Sequence, residues 1–216
     1  MAEKLIFTRH KNNDPDCSLQ SIDSSKNDQH CLIACPIFRK ELEHALTELN
    51  LSPRIHYMHY TIHNSPIKME EELQSGVKQA TTTGTEARFL VGKHCKGTRD
   101  IGEIVDSCGG KIPQARNCID MLIGTEFANT LQQNRTSLMT PAWISMINQS
   151  IKDGQWTVTD ARLALGWYNK ILLLDTGVDA LSDEQIMEFY DLIQVEIEIL
   201  PVTLDHFQGL LKDLLQ

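Results

Sequence analysis

Short apolar stretches alternate along most of the chain with longer amphipathic segments, and most of the apolar stretches run straight into a turn. Residues 31–34 read as a short buried strand, and Pro36 suits the first position of the helix that follows. That helix sets Ile37, Phe38, Leu42, Ala45, Leu46 and Leu49 on one face, with Arg39, Glu41, Glu43 and Glu48 largely turned from it. A second strand near 54–60 leads to Ser65-Pro66, a hydroxyl cap followed by proline, opening a helix that fades over 81–84. Residues 88–92 form a third strand, followed by a short helix around 98–107. Gly109-Gly110 turns into a short strand near 111–113, and helical residues run from Asn117 towards Gln132. Residues 137–139 read as a strand, and Thr140-Pro141 repeats the cap-plus-proline start. The clearest buried strand covers 170–174 and ends at Asp175-Thr176-Gly177. Ser182 to Gln185 fits a capping box opening a helix over 183–193. A last strand covers 195–200, and Thr203 suits the cap of a terminal helix carrying Leu204, Phe207, Leu210, Leu211 and Leu214.

Strands separated by helices of this length imply crossover connections, hence a single α/β domain over 31–216 with a mainly parallel sheet and helices on both faces. Right-handed crossovers restrict the topology without setting strand order. Residues 1–30 read as an N-terminal extension, partly irregular. Within it 4–8 suits a short edge strand, and 11–29 is rich in Asn, Asp, Ser and Lys.

Composition adds constraints on partners. The chain has 216 residues, enough for one domain with a layered core, and its net charge of −9 argues against a nucleic-acid or anionic-membrane partner. No apolar run approaches the roughly 20 residues that span a bilayer. Arg9, Lys11, Asn12 and Asp14 interrupt any secretory-type apolar stretch near the start, so a cytoplasmic location is expected. There the six cysteines are expected as thiols or metal ligands rather than disulfides.

Four segments in succession place a cysteine or histidine where an apolar stretch meets a turn: CLIACP, RIHYMHYTIHNSP, RFLVGKHCKG and GKIPQARNCIDM. Parallel strands deliver their carboxyl ends to one edge, where α/β proteins place their sites. Cys35, His63, Cys95 and Cys118 are therefore candidates for convergence. Cys35 and Cys118 both fall at predicted helix starts, whose partial positive charge favours thiolate. Three thiolates and an imidazole make a soft tetrahedral set suited to zinc, and cysteine-rich sites also suit iron–sulfur clusters. Buried inert thiols and a metal-free reactive thiol remain the competing readings.

Other apparent motifs carry less. Cys31 and Cys35, spaced CxxxC, sit ~13 Å apart along a strand, too far to share an ion or a disulfide. His56 and His59 face opposite sides of a strand, so at most one joins His63. His94, beside Cys95, competes with His63 as nitrogen donor. Cys17 and Cys108 read as ordinary thiols. Asp175-Thr176-Gly177 reads as a turn or as a ligand-orienting loop. Trp143 reads as a pocket wall for a planar ligand or as a buried aromatic opening a helix. Neither a phosphate-binding glycine signature nor a nucleophile elbow is present.

The segments IACPIFRKELE, IHNSP, VGKHCKG, IPQARNCIDMLIGTE and SLMTPAW, taken in series, resemble the bacterial and archaeal domain of unknown function 1638 family over roughly residues 31 to 200. The chain departs from the family pattern in places. Pro36 replaces a glycine after the first cysteine. The family arginine, histidine and aspartate of the IPRAHDC segment fall on Gln114, Arg116 and Asn117, and Ala142 replaces the glycine before Trp143. The resemblance implies a link to corrinoid methyl-transfer systems.

The function expected is a cytoplasmic metal-site protein holding zinc or an iron–sulfur cluster on Cys35, His63, Cys95 and Cys118. It would be an enzyme or an accessory in corrinoid-linked one-carbon metabolism, with a corrinoid protein or methyltransferase as partner. Arg116 and Trp143 are expected beside the site as cofactor contacts. The alternative is a metal-free module that binds a small ligand, its cysteines merely packed.

Overall fold

A computed structural model describes residues 29–95 and 100–216. The strand expected at 4–8, nearly all of the N-terminal extension and the predicted helix start at Thr98 lie outside those residues.

The first half builds a sheet around β1 (His30–Ala34), which lies between β2 (Arg54–Tyr57) and β3 (Glu86–Leu90), all parallel. Cys31 stands opposite Arg54 and Ala87, and Ala34 opposite Tyr57 and Leu90. A 3₁₀ turn at Pro36–Phe38 enters α1 (Arg39–Glu48), and another at Tyr60–Asn64 precedes α2 (Pro66–Thr83). Ser65 caps α2 by accepting from the Lys68 N–H at 3.3 Å, and Gly84 ends it with φ 67°. The second strand stops at Tyr57, short of the predicted 60, because the chain turns back there into the 3₁₀ segment.

In chain order α3 (Ile101–Ser107), α4 (Cys118–Ile123) and α5 (Thr125–Leu131) come between the strands of the two sheets. The long helix predicted from Asn117 is split at Gly124, whose φ of 84° ends α4. The strand expected near 111–113 reduces to one bridge between Arg88 and Lys111. The second half places β5 (Lys170–Asp175) between β4 (Thr136–Met139) and β6 (Glu196–Pro201), again all parallel. With it come α6 (Pro141–Lys152), α7 (Val158–Leu165) and α8 (Asp183–Ile193), and the chain ends in α9 (Asp205–Leu215). The capping box predicted for α8 is present: Ser182 and Gln185 satisfy each other's backbone N–H groups. Helix α7 has no counterpart among the predicted elements, although Thr157 and Asp160 form the same kind of box. The two threonine caps differ from expectation. Thr140 makes no cap bond, and Thr203 donates instead to the Asp205 carboxylate at 2.9 Å, leaving Leu204 at the cap.

The chain is thus α/β with parallel strands, but among the described residues these form two three-stranded sheets rather than one continuous sheet. Crossover signals predict parallel neighbours, and they carry no information about whether two edges join. The halves nevertheless share a core. Strand β5 is buried on both faces: Leu172 and Leu174 join the main cluster with β1 and β3, whereas Ile171 and Leu173 face a second cluster with Phe189 and Ile193. Helix α9 then crosses back to the first half and packs on α4 and α1, its Phe207 ring 5.1 Å from Phe38. No helix of the described residues is long and apolar enough to cross a membrane.

Two glycines set a test of this packing. A Cβ at Gly76 in α2 would lie 2.7 Å from Ile33, which is fully buried on β1, whereas one at Gly209 in α9 meets nothing within 4 Å. Gly76→Ala is expected to lower stability, since ~1–3 kcal/mol of overpacking outweighs the helix-propensity gain of ~1 kcal/mol. Gly209→Ala keeps only the gain and should raise the urea midpoint.

Candidate functional site

Three strand ends and a turn bring the predicted donors to one edge of the first sheet. Cys35 follows β1 in extended conformation, its N–H donating to the Leu90 carbonyl at 3.1 Å, and Pro36 then starts the 3₁₀ turn. β2 ends with the Met58 N–H on the Ala34 carbonyl, and the 3₁₀ turn after it carries His63 back over the same edge. β3 runs on into Val91 and Gly92, where the chain lies along residues 115–117: the Lys93 N–H donates to Ala115 at 3.0 Å and the His94 N–H to Arg116 at 2.9 Å. A Cβ at Gly92 would lie 2.4 Å from both the Arg116 carbonyl oxygen and the Asn117 Cα, so this approach needs glycine. Asn117 then caps α4 by accepting from the Asp120 N–H at 3.0 Å, which fixes Cys118 as the first helical residue.

Cys35, His63, Cys95 and Cys118 line one cavity of about 380 Å³. Cys35 Sγ and His63 Nε2 share a hydrogen bond at 3.4 Å. Trp143, in the first turn of α6, donates its indole N–H to Cys118 Sγ at 3.2 Å, and its ring centroid lies 4.7 Å from that of His63. A chain of contacts therefore runs from Cys35 through His63 and Trp143 to Cys118. Cys95 is half-buried against the cavity and His94 is exposed at its rim.

The electrostatics correct one expectation. Helix starts at Cys35 and Cys118 were expected to favour thiolate, yet burial pushes both thiols up, Cys118 to about 11. Repulsion among the sulfurs adds to this, and the N–H groups of Ile37 and Ile119, with the Trp143 indole, oppose it without prevailing. Cys95 is also raised by burial. Burial pulls His63 down to about 4, leaving it a neutral imidazole at physiological pH. The resting site therefore holds protonated thiols and an uncharged ring.

Cys35 and His63 stand at ligand spacing: a tetrahedral zinc ion would separate a sulfur and a nitrogen ligand by about 3.6 Å, given bond lengths of ~2.3 and ~2.05 Å. Among the described residues no group of three or more His, Cys, Asp or Glu is placed to hold a metal ion as it stands.

Arg116 is not part of the cavity wall. Its guanidinium grips Asp120 at 2.5 and 2.9 Å and Asn129 at 2.8 Å, because Asp120 is only 1% exposed and its charge needs a cation. His56 pairs with Gln79 on α2 at 2.8 Å, and His59 packs on Tyr60. Cys31 is buried in the core, Cys108 donates to the Val105 carbonyl at 3.1 Å, and Cys17 lies outside the described residues. The Asp175 carboxylate accepts from the Gly177 N–H at 2.8 Å, an ordinary turn. Sequence reasoning missed the rest of the wall, notably Met69, Met121, Met139, Met146 and Trp156. Met121 and Met146 each lie one helical turn beyond Cys118 and Trp143, a spacing that would have pointed to them. A larger hollow of about 1040 Å³ runs along residues 110–115, lined by charged side chains such as Lys93, Lys111, Asp106 and Asp120, and holds none of the three thiols.

Two outcomes follow for this geometry. Gly92→Ala must push backbone against backbone, so stability should fall by about 1–3 kcal/mol and Cys95 should alkylate faster in the folded chain. His63 is harder to protonate in the folded chain than in the unfolded one, so the unfolded chain takes up the proton first as pH falls. Metal-free protein should therefore hold its full stability above pH 6.5 and lose up to ~3 kcal/mol between there and pH about 4. Thermal melts of wild type and His63→Leu at pH 7 and 4.5 check this, the variant showing the shallower loss.

A family model described as a protein of unknown function (DUF1638) matches residues 57–211, beginning and ending later than the segments compared above. The match takes in His63, Cys95, Cys118 and Trp143 and starts after Cys35. Neither the comparison with curated proteins nor that with solved structures finds a match. Because the matched span is well over half of its length, the chain belongs to the DUF1638 family.

Proposed function

We propose that the cavity is a soft-donor metal centre, with zinc or an iron–sulfur cluster held by Cys35, His63, Cys95 and Cys118. The observation that carries this reading is the 3.4 Å contact of Cys35 Sγ and His63 Nε2 at the wall of a cavity that Cys95 and Cys118 share. The donor types suit a thiophilic ion, and a neutral His63 has the free lone pair that ligation uses. Bound zinc supplies Lewis acidity and keeps a thiol as thiolate near neutral pH. The chain's own part is to give up the thiol protons, to aim the imidazole by its contact with the Trp143 ring and to keep water out with apolar walls. An enzyme or an accessory of one-carbon, corrinoid-linked methyl transfer is the role proposed, with a corrinoid protein or methyltransferase as partner and a cytoplasmic location. The resemblance to the family supports that role, and the net charge of −9 supports a partner other than nucleic acid.

One observation favours a second reading, a metal-free module that binds a small ligand. Burial keeps the thiols protonated, and no three donors among the described residues are yet at coordinating separation. Metal content separates the two. Protein purified anaerobically without chelator should carry about one zinc, or the iron of one cluster, per chain. Cys35→Ser, Cys95→Ser and Cys118→Ser should each more than halve that content, and Cys108→Ser should leave it unchanged. A wild-type chain without zinc or iron, or equal content in all four variants, selects the second reading.

A further inference from the structure

The wall facing the thiols is unusual in its chemistry. Four of the chain's seven methionines, Met69, Met121, Met139 and Met146, line this one cavity, with the indoles of Trp143 and Trp156 beside them. Thioethers and indoles are polarisable, and methionine's unbranched side chain adapts to the shape of what it touches. None of the described residues lining the cavity is Asp, Glu, Lys or Arg, in contrast to the larger hollow with its Lys93, Lys111 and Asp106. A carboxylate, phosphate or ammonium moved from water into such a wall loses its hydration and meets no counter-charge among the described lining residues. The volume of about 380 Å³ is that of a small-molecule site. Cys35 and His63 line the same cavity as these methionines.

We propose that the ligand of this cavity is a small uncharged organosulfur compound, an alkyl thiol or methyl thioether, with its sulfur beside Cys35 and His63 and its alkyl part against the methionines. The polarisable methionine and indole wall gains dispersion contact with the carbon and sulfur of such a ligand, and the Cys35 thiol is a weak hydrogen-bond donor to its sulfur. The inference rests on the cavity being the functional site and deepens the reading above by naming what enters it.

The test uses the full chain, anaerobic and at neutral pH, both as purified and after chelator treatment. The probes are 1-butanethiol, anionic 3-mercaptopropionate and cationic 2-aminoethanethiol, with binding followed by fluorescence of the tryptophans and by calorimetry. The expected result is binding of 1-butanethiol at least about tenfold tighter than of either charged thiol, since each of those buries an unpaired charge. Met146→Lys, at a half-buried position that tolerates a long side chain, should shift the preference towards 3-mercaptopropionate by about tenfold. The proposal is overturned if the three probes bind within about twofold of one another, or if 1-butanethiol binds neither form of the protein. Metal content is read separately. A metal-free chain that keeps the preference retires the metal centre and leaves this inference standing, whereas a metal-loaded chain without the preference does the reverse.

Discussion

The candidate site depends on a backbone approach that leaves no room for a side chain at residue 92. Residues 91–94 lie against 115–117 through two backbone hydrogen bonds, Lys93 to Ala115 and His94 to Arg116. That contact carries the turn bearing Cys95 up to the start of the helix bearing Cys118, on either side of α3 in the chain. The adjacent network serves the same contact. Asn117 caps α4 through the Asp120 N–H, while Arg116 neutralises the buried Asp120 carboxylate, to which Thr125 also donates. A residue expected as a cofactor contact thus acts through its backbone and through a structural ion pair. Paired burial of this kind contributes little net stability, but losing one partner would strand a charge in the core.

Two opposing effects act on the thiols, and their sizes decide the resting state. A helix start favours an anion by ~0.3–1 kcal/mol at exposed positions, and its effect falls off within a turn. Helix α4 has only six residues, and Cys118 is buried deeply enough that desolvation lifts its thiol to about 11. Desolvation wins, so the site rests as neutral thiols beside a neutral imidazole. Such a cluster does not repel itself apart, and any ion it takes up must displace protons, which makes uptake favourable at higher pH.

The pattern of the chain made most of the strands, their parallel pairing and the gathering of Cys35, His63, Cys95 and Cys118 around one cavity legible, whereas the strand expected at 111–113 is a single bridge. Cys35 could be placed because the proline after it is a local signal, and the Ser182 box set the start of α8 for the same reason, whereas Asn117, read as helical, proves to be the cap that precedes Cys118. Three features were not legible. The division into two sheets depends on edges that sequence periodicity does not describe. The role of Arg116 depends on Asp120 being buried, which the amphipathic pattern of a six-residue helix does not reveal. The methionine wall is assembled from α2, α4, β4 and α6, and each methionine taken alone looks like ordinary core.

The site is also where the two halves of the chain meet. Cys35, His63 and Cys95 follow strands of the first sheet and Cys118 opens α4, while Trp143, which touches both His63 and Cys118, comes from the helix that follows β4 of the second. Other contacts cross the same boundary: Tyr60 donates to Asp153 at the end of α6, and Lys40 pairs with Asp179 after β5. Exposed pairs of this type contribute ~1 kcal/mol or less each, so the shared core of Leu172, Leu174 and Phe207 must hold the halves together. A core of that kind resists separation but tolerates small sliding of a helix. Movement of α6 would carry Trp143 and Met146 together, changing the indole contact with Cys118 and the shape of the cavity in one step. Through Trp143 and Met146, α6 of the second half thus shapes a cavity whose thiols belong to the first.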